Sequence, residues 1–226
     1  MNSRFFRRSA ALALTCLLAA CGPAREDEIG PVKIIDQTIR GVFGIEPEFT
    51  PFTPKQLGDA VRGTQGPLIL IEPETRDAQA LMIQIERNGS YATFATPELQ
   101  TVTLRRGLVV ATRGLGGDLM SSEEDALLAL IARRSTGQAR YTMRFLDGAD
   151  QTREVRFTCT SSPRRILNYQ NGVIPPTLVV WLDVTCTAPE GVVEHIFLVD
   201  GQGEILRASQ WVGDLTGHLK VSKLRR

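Results

Sequence analysis

Few side chains in this sequence are suited to chemistry. Among 226 residues there are two histidines, His195 and His218. His195 lies in a run that alternates apolar and polar residues, so a histidine packed within a strand accounts for it. His218 sits beside Gly217, ahead of a basic end, and reads in the same structural way. A Ser-His-Asp set can be drawn from Ser121, His195 and Asp183, but no nucleophile elbow surrounds the serine. The run Gly114-Leu115-Gly116-Gly117-Asp118 has the glycines of a phosphate-cradling loop. It lacks the following Lys-Ser/Thr and any parallel βαβ context, so a tight turn between strand and helix is the better reading. The carboxylates Glu123 and Glu124 suit a helix N-terminus, where the helix dipole favours negative charge. Trp181 and Trp211 fall on strands, and core packing accounts for them better than a sugar-stacking role. No catalytic residue, metal ligand set or cofactor site emerges, and the expectation is a protein that is not an enzyme.

Cysteine carries the clearest chemistry. Arg4, Arg7 and Arg8 form a positive n-region, and an apolar run from Ser9 to Ala20 follows. That run is shorter than the roughly 20 apolar residues a membrane-spanning helix needs, so it reads as an export signal. It ends Leu18-Ala19-Ala20-Cys21-Gly22, which resembles the lipobox of bacterial lipoproteins. The resemblance implies cleavage before Cys21, lipidation of its thiol and acylation of the new amine, as with palmitate. Each buried methylene contributes about 0.8 kcal/mol, so two or three chains on Cys21 anchor firmly. Gly22 stands where Asp marks inner-membrane retention in enterobacterial lipoproteins, which favours the periplasmic face of the outer membrane. Removing residues 1–20, with Cys16, leaves 206 residues holding 23 Lys and Arg against 25 Asp and Glu. That balance gives no sign of nucleic-acid binding. Cys159 and Cys186 remain, and an oxidising periplasm favours a disulfide between them, the alternative being two free buried thiols.

These residues need elements to position them. Residues 21–33 are charged and contain Gly and Pro, and read as a lipidated tether; residues 34–226 read as one periplasmic domain. Residues 34–43 suit a short helix. Thr53-Pro54-Lys55-Gln56 has the form of a capping box with proline in the first turn, predicting a helix that ends near Gly63. From Pro67 the apolar period becomes two. Strands are predicted over 68–71, 81–86 and 91–95, with Asn88-Gly89 as a hairpin turn, and over 101–112 with a kink at Gly107. Ser121-Ser122-Glu123-Glu124 is expected to cap a helix running to Arg134. Strands over 141–146 and 152–160 flank the turn Asp147-Gly148, and a long connection spans 163–176. Three antiparallel strands are predicted over 177–188, 192–200 and 204–212. The end, Lys220 to Arg226, is basic and reads as solvated, with contact to anionic polysaccharide or lipid headgroups as the alternative. The pattern predicts a mainly β fold with a few helices, an antiparallel β-sandwich or open barrel.

The stretch from Arg105 to Met120, Arg-Arg-Gly-Leu-Val-Val-Ala-Thr-Arg-Gly-Leu-Gly-Gly-Asp-Leu-Met, resembles the middle signature of the YjbF/GfcB lipoproteins. The segment Leu206-Arg207-Ala208-Ser209-Gln210-Trp211-Val212-Gly213 is similar to their closing strand. The resemblance covers nearly all the chain after the signal and includes the lipobox. It implies a lipid-anchored outer-membrane protein with a mainly β fold, encoded with group 4 capsule or exopolysaccharide genes. It implies a non-enzymatic accessory role in polysaccharide export or assembly, with an outer-membrane β-barrel and another periplasmic protein as partners. Two other functions remain open at this stage, a carbohydrate-binding module and a periplasmic glycan-modifying enzyme.

Overall fold

Twelve strands follow one another in a single antiparallel sheet whose two edges nearly meet. The computed structural model describes residues 49–146 and 151–226, all within the compact unit Asp36–Arg226. The signal over 1–20, Cys21 and its tether, the helix expected over 34–43 and the turn Asp147-Gly148 lie outside the described residues. The chain runs α1 (Pro54–Gly63), β1 (Leu68–Pro73), β2 (Ala80–Asn88), β3 (Tyr91–Ala95), β4 (Thr101–Arg105), β5 (Leu108–Arg113) and β6 (Leu119–Glu123). It continues through α2 (Asp125–Arg133), β7 (Gly137–Leu146), β8 (Thr152–Asn171), β9 (Ile174–Ala188), β10 (Gly191–Asp200), β11 (Ile205–Trp211) and β12 (His218–Arg225). Their spatial order is β5-β4-β3-β2-β1-β12-β11-β10-β9-β8-β7-β6, so β12 joins the two halves between β1 and β11.

The edges β5 and β6 are closed by side chains instead of a ladder. Thr112 Oγ1 accepts from the Leu119 N–H at 3.0 Å, and Arg113 Nη1 donates to the Leu119 carbonyl at 3.1 Å. The result is a nearly closed, barrel-like sheet. Closure matters because an open edge exposes unpaired peptide groups to other chains.

The interior is a packed core. Alternating residues point inward from every part of the sheet, among them Ile69, Ile71, Phe157, Leu182, Phe197 and Val221. Helix α2 adds Leu127, Leu128 and Ile131 to the same core. Cys159 and Cys186 are directly opposite in the β8–β9 ladder, fully buried and joined as a disulfide. The wall is pinched. Gln210 of β11 reaches across to β5, where its Oε1 accepts the Val109 N–H at 3.0 Å and its Nε2 donates to the Val109 carbonyl at 2.8 Å. Helix α1 covers the outer face, laying Val61 on Leu68, Leu70 and Leu224. Its capping box is present as read: Thr53 accepts from the Gln56 N–H, and Gln56 reaches back to the Thr53 N–H at 2.8 Å.

Four expectations are corrected. The strand predicted over 101–112 is two strands, because Arg106 and Gly107 both adopt positive φ and reverse the chain. Residues 119–123 form β6, and α2 starts only at Asp125, with Glu124 at its N-cap making no capping hydrogen bond. The connection expected over 163–176 is the distal half of a long hairpin, β8 and β9. A bulge between Pro163 and Arg165 shifts the register there, so Val155, Phe157 and Cys159 face the core while Leu167 and Tyr169 join an outer cluster with Leu198 and Leu206. The hairpin tip then meets β12, where the Val173 N–H donates to the Leu224 carbonyl at 2.9 Å. The basic end, lastly, is the central strand β12, with Leu219, Val221 and Leu224 buried.

Candidate functional site

The residues singled out by type are held in structural roles. Asp183 pairs across the ladder with Ile196, and His195 with Val184, so the two side chains stand on opposite faces of the sheet. Asp183 accepts from Trp181 Nε1 at 2.7 Å and from Arg164 Nε at 2.5 Å. Ser121, His195 and Asp183 are therefore not brought together. The His195 ring is buried, and its Nδ1 accepts the Trp211 N–H at 3.1 Å. Burial, helped by the nearby His218, holds the His195 pKa down at about 3. His218 lies half-buried at the start of β12, with Nε2 2.6 Å from the Glu194 carbonyl oxygen.

The depressed His195 pKa has a consequence for stability. The unfolded chain binds a proton near pH 6.5 that the folded chain refuses down to about pH 3. Stability is therefore full above pH 6.5 and falls as pH drops through that window, by about 1.4 kcal/mol per unit, or about 2 kcal/mol by pH 5. Denaturant titrations at pH 7 and pH 5 should show this loss, and a smaller one in His195→Gln. Equal losses in the two proteins would contradict the assignment.

The glycine loop binds its own carboxylate. Asp118 Oδ2 accepts the Gly114 N–H at 2.8 Å and Oδ1 accepts the Leu115 N–H at 3.1 Å. These are amides a phosphate loop would offer to its ligand. Glu124, 3% exposed, accepts from Arg105 Nη1 at 3.0 Å, Ser122 Oγ at 2.9 Å and the Tyr91 hydroxyl at 3.3 Å. Asp125 and Glu124 together hold the Arg105 guanidinium well above its usual pKa. The Tyr91 hydroxyl is pushed up by burial and then by Glu124. These groups, together with Arg140 and Arg156, line a charged cleft of about 600 Å³. Both tryptophans are half-buried. Trp211 packs edge-on to Phe145 and Phe157, and Arg165 lies 5.1 Å over the Trp181 ring.

A second cleft, of about 420 Å³, is assembled from segments far apart in the sequence. Arg87 at the end of β2, Arg106 in the β4–β5 turn, and Lys223, Arg225 and Arg226 at the end of β12 line it with Glu204. Phe94, Leu104 and Pro67 contribute an apolar lining. Arg226 pairs with Asp200 at 2.6 Å, and Lys223 pairs with Glu204. Lys223 is buried enough for its pKa to fall, with Glu204 opposing the fall. Arg87, Arg106 and Arg225 bond neutral oxygens, respectively Gln84 Oε1 at 3.1 Å, the Gln202 carbonyl, and the Val61 carbonyl at 2.6 Å. A sequence signal existed in the dense cations of 220–226, but the strand that aims them was missed. Among the described residues no group of three or more His, Cys, Asp and Glu is placed to hold a metal, and no helix is long and apolar enough to cross a membrane.

A solid-cored, nearly closed antiparallel barrel with charged clefts is thus the class of molecule defined. The sequence model of the family described as group 4 capsule polysaccharide lipoprotein gfcB, YjbF, matches residues 48–224, and the chain belongs to that family. Among solved structures it is similar to the crystal structure of the hypothetical lipoprotein YmcC from Escherichia coli (K12). The TM-score is 0.66 at 10% identity, covering 78% of this chain and 98% of that one, a likeness of fold. Among curated proteins none matches the chain in sequence.

Proposed function

We propose that this chain is an outer-membrane-anchored periplasmic lipoprotein that assists export or assembly of capsule or exopolysaccharide without catalysing a reaction. The family match over residues 48–224 carries the reading. The anchor is Cys21, through its lipid. The pinched, filled interior supports an accessory role over that of a conduit, since Gln210 and Val109 meet where a lumen would run. The commitment of His195, Asp183 and Asp118 to internal partners supports a role without catalysis. The partners are an outer-membrane β-barrel and periplasmic export proteins.

The lipidated protein, drawn from its own membranes and analysed by mass spectrometry, should bring these partners with it. Recovery of lipid and glycan alone, together with shortening of the polymer on incubation, would overturn the reading. Direct glycan binding is the second reading, favoured by the cation-lined cleft at the end of β12.

A further inference from the structure

We infer that the cleft lined by Arg87, Arg106, Lys223, Arg225 and Arg226 binds an acidic segment of glycan, its arginines taking carboxylates of uronate type. The inference rests on the reading that the chain handles surface polysaccharide, and it names the chemistry recognised.

Charge is segregated here. The whole chain carries a formal net charge of only +1, yet this cleft gathers five cations against Glu204 and the Asp200 that pairs Arg226. Among the described residues, Arg87, Arg106 and Arg225 have no carboxylate partner. A guanidinium has five N–H donors in a planar fork that matches a carboxylate, so each retains donors for a ligand. The Nε of Arg225 is buried without a partner.

The cations are also held in place. Arg106 sits at φ +50°, the left-handed conformation that the two-residue β4–β5 turn requires, and so is fixed in place by the hairpin. Its carbonyl accepts the Ile205 N–H at 2.9 Å, and its guanidinium is tied to the Gln202 carbonyl, so the β4–β5 turn is fastened to the β10–β11 turn. Shape selects the class of partner. A volume of about 420 Å³ lies within the roughly 300–1,000 Å³ of ligand pockets. Its apolar side, with Phe94 and Leu104, suits the C–H faces of sugar rings. A concave site of this kind admits a chain of rings, whereas a flat bilayer surface meets only its rim.

The test titrates the full chain in detergent micelles with a size-defined oligogalacturonate and with its carboxyl-reduced, neutral counterpart. The acidic oligomer should bind, with affinity falling as salt rises. The neutral oligomer should bind at least tenfold more weakly. The double variant Arg87→Gln, Arg106→Gln should lose at least tenfold in affinity while its circular-dichroism spectrum stays that of the folded chain. Arg87→Lys with Arg106→Lys, which keeps charge without the fork, should lie between.

Equal binding of neutral and acidic oligomers, or of wild type and the glutamine variant, would overturn the inference. So would binding to phosphatidylglycerol vesicles that the same variants abolish and the oligomer does not displace, since the cleft would then serve lipid. If deletion of the gene removes surface polysaccharide and the glutamine variant restores it fully, the cleft assignment falls and the function stands. If deletion changes nothing, the function itself falls.

Discussion

Replacing Gly107 with alanine should destabilise the domain by about 3–4 kcal/mol. A Cβ at this position would stand 2.2 Å from the Ile205 carbonyl oxygen and 2.8 Å from Ile205 Cβ, at a backbone φ of +88°. The left-handed conformation contributes about 1–2 kcal/mol for a residue with a Cβ. Overpacking adds about 1–3 kcal/mol, here against backbone that cannot rotate aside. The turn would also retreat from β11, weakening the bond from the Ile205 N–H to the Arg106 carbonyl. Gly89 is the internal control. It has φ +57° and nothing within 4 Å of a built Cβ, so Gly89→Ala should show the conformational part alone, about 1 kcal/mol. Urea titrations of the two variants measure the difference. Equal effects would mean that the β4–β5 turn does not press on β11.

Removing the Gln210 amide should have a similarly large effect. Gln210 is fully buried, and its two hydrogen bonds to Val109 are those a neighbouring strand would make to β5. It also donates to the Tyr141 hydroxyl at 3.2 Å. In Gln210→Met the length and volume are nearly kept, but the Val109 N–H and carbonyl lose their partner inside the core. A buried polar group left unpaired costs about 1–3 kcal/mol, so a total near 3 kcal/mol is expected. Native-state hydrogen exchange gives a sharper readout, because the Val109 amide should lose protection by more than the global loss of stability. Unchanged protection there would show that β5 is not pinned across the interior. Together the two variants test whether the barrel is solid because β5 lies against β11.

Much of this fold was legible where local chemistry and tertiary packing agree. The Thr53–Gln56 capping box and the Asn88-Gly89 turn declare themselves within a few residues. The alternation of Val155, Phe157 and Cys159, and of Leu182, Val184 and Cys186, turns both sulfurs into the core, but the same alternation carried back to Leu178 fails, because Leu178 is exposed beyond the register shift of the hairpin. Legibility failed where a single residue changes the phase. Ser121-Ser122-Glu123-Glu124 has the composition of a cap, but Ser122 donates to the Glu124 side chain and Arg105 pairs with it across the fold. Pro163, Pro175 and Pro176 argued against strand. Pro163 lies at a bulge, and Pro175 and Pro176 lie at the irregular tip of the β8–β9 hairpin, before β9 meets β10. The basic end concealed β12, since the partners of its cations, Glu74, Glu204 and Asp200, lie far away in sequence. The cation-lined cleft was illegible for the same reason, being assembled from β2, the β4–β5 turn and β12.

The proposed role in surface-polysaccharide display is open to a direct genetic test. The most direct test quantifies polysaccharide on cells lacking this gene, with the neighbouring export genes still expressed. Surface polysaccharide should fall sharply and return with the full chain, but not with Cys21→Ser, which removes the thiol of the proposed lipid anchor. Unchanged surface polysaccharide in the deletion, with the neighbouring genes expressed, would rule out the proposed role.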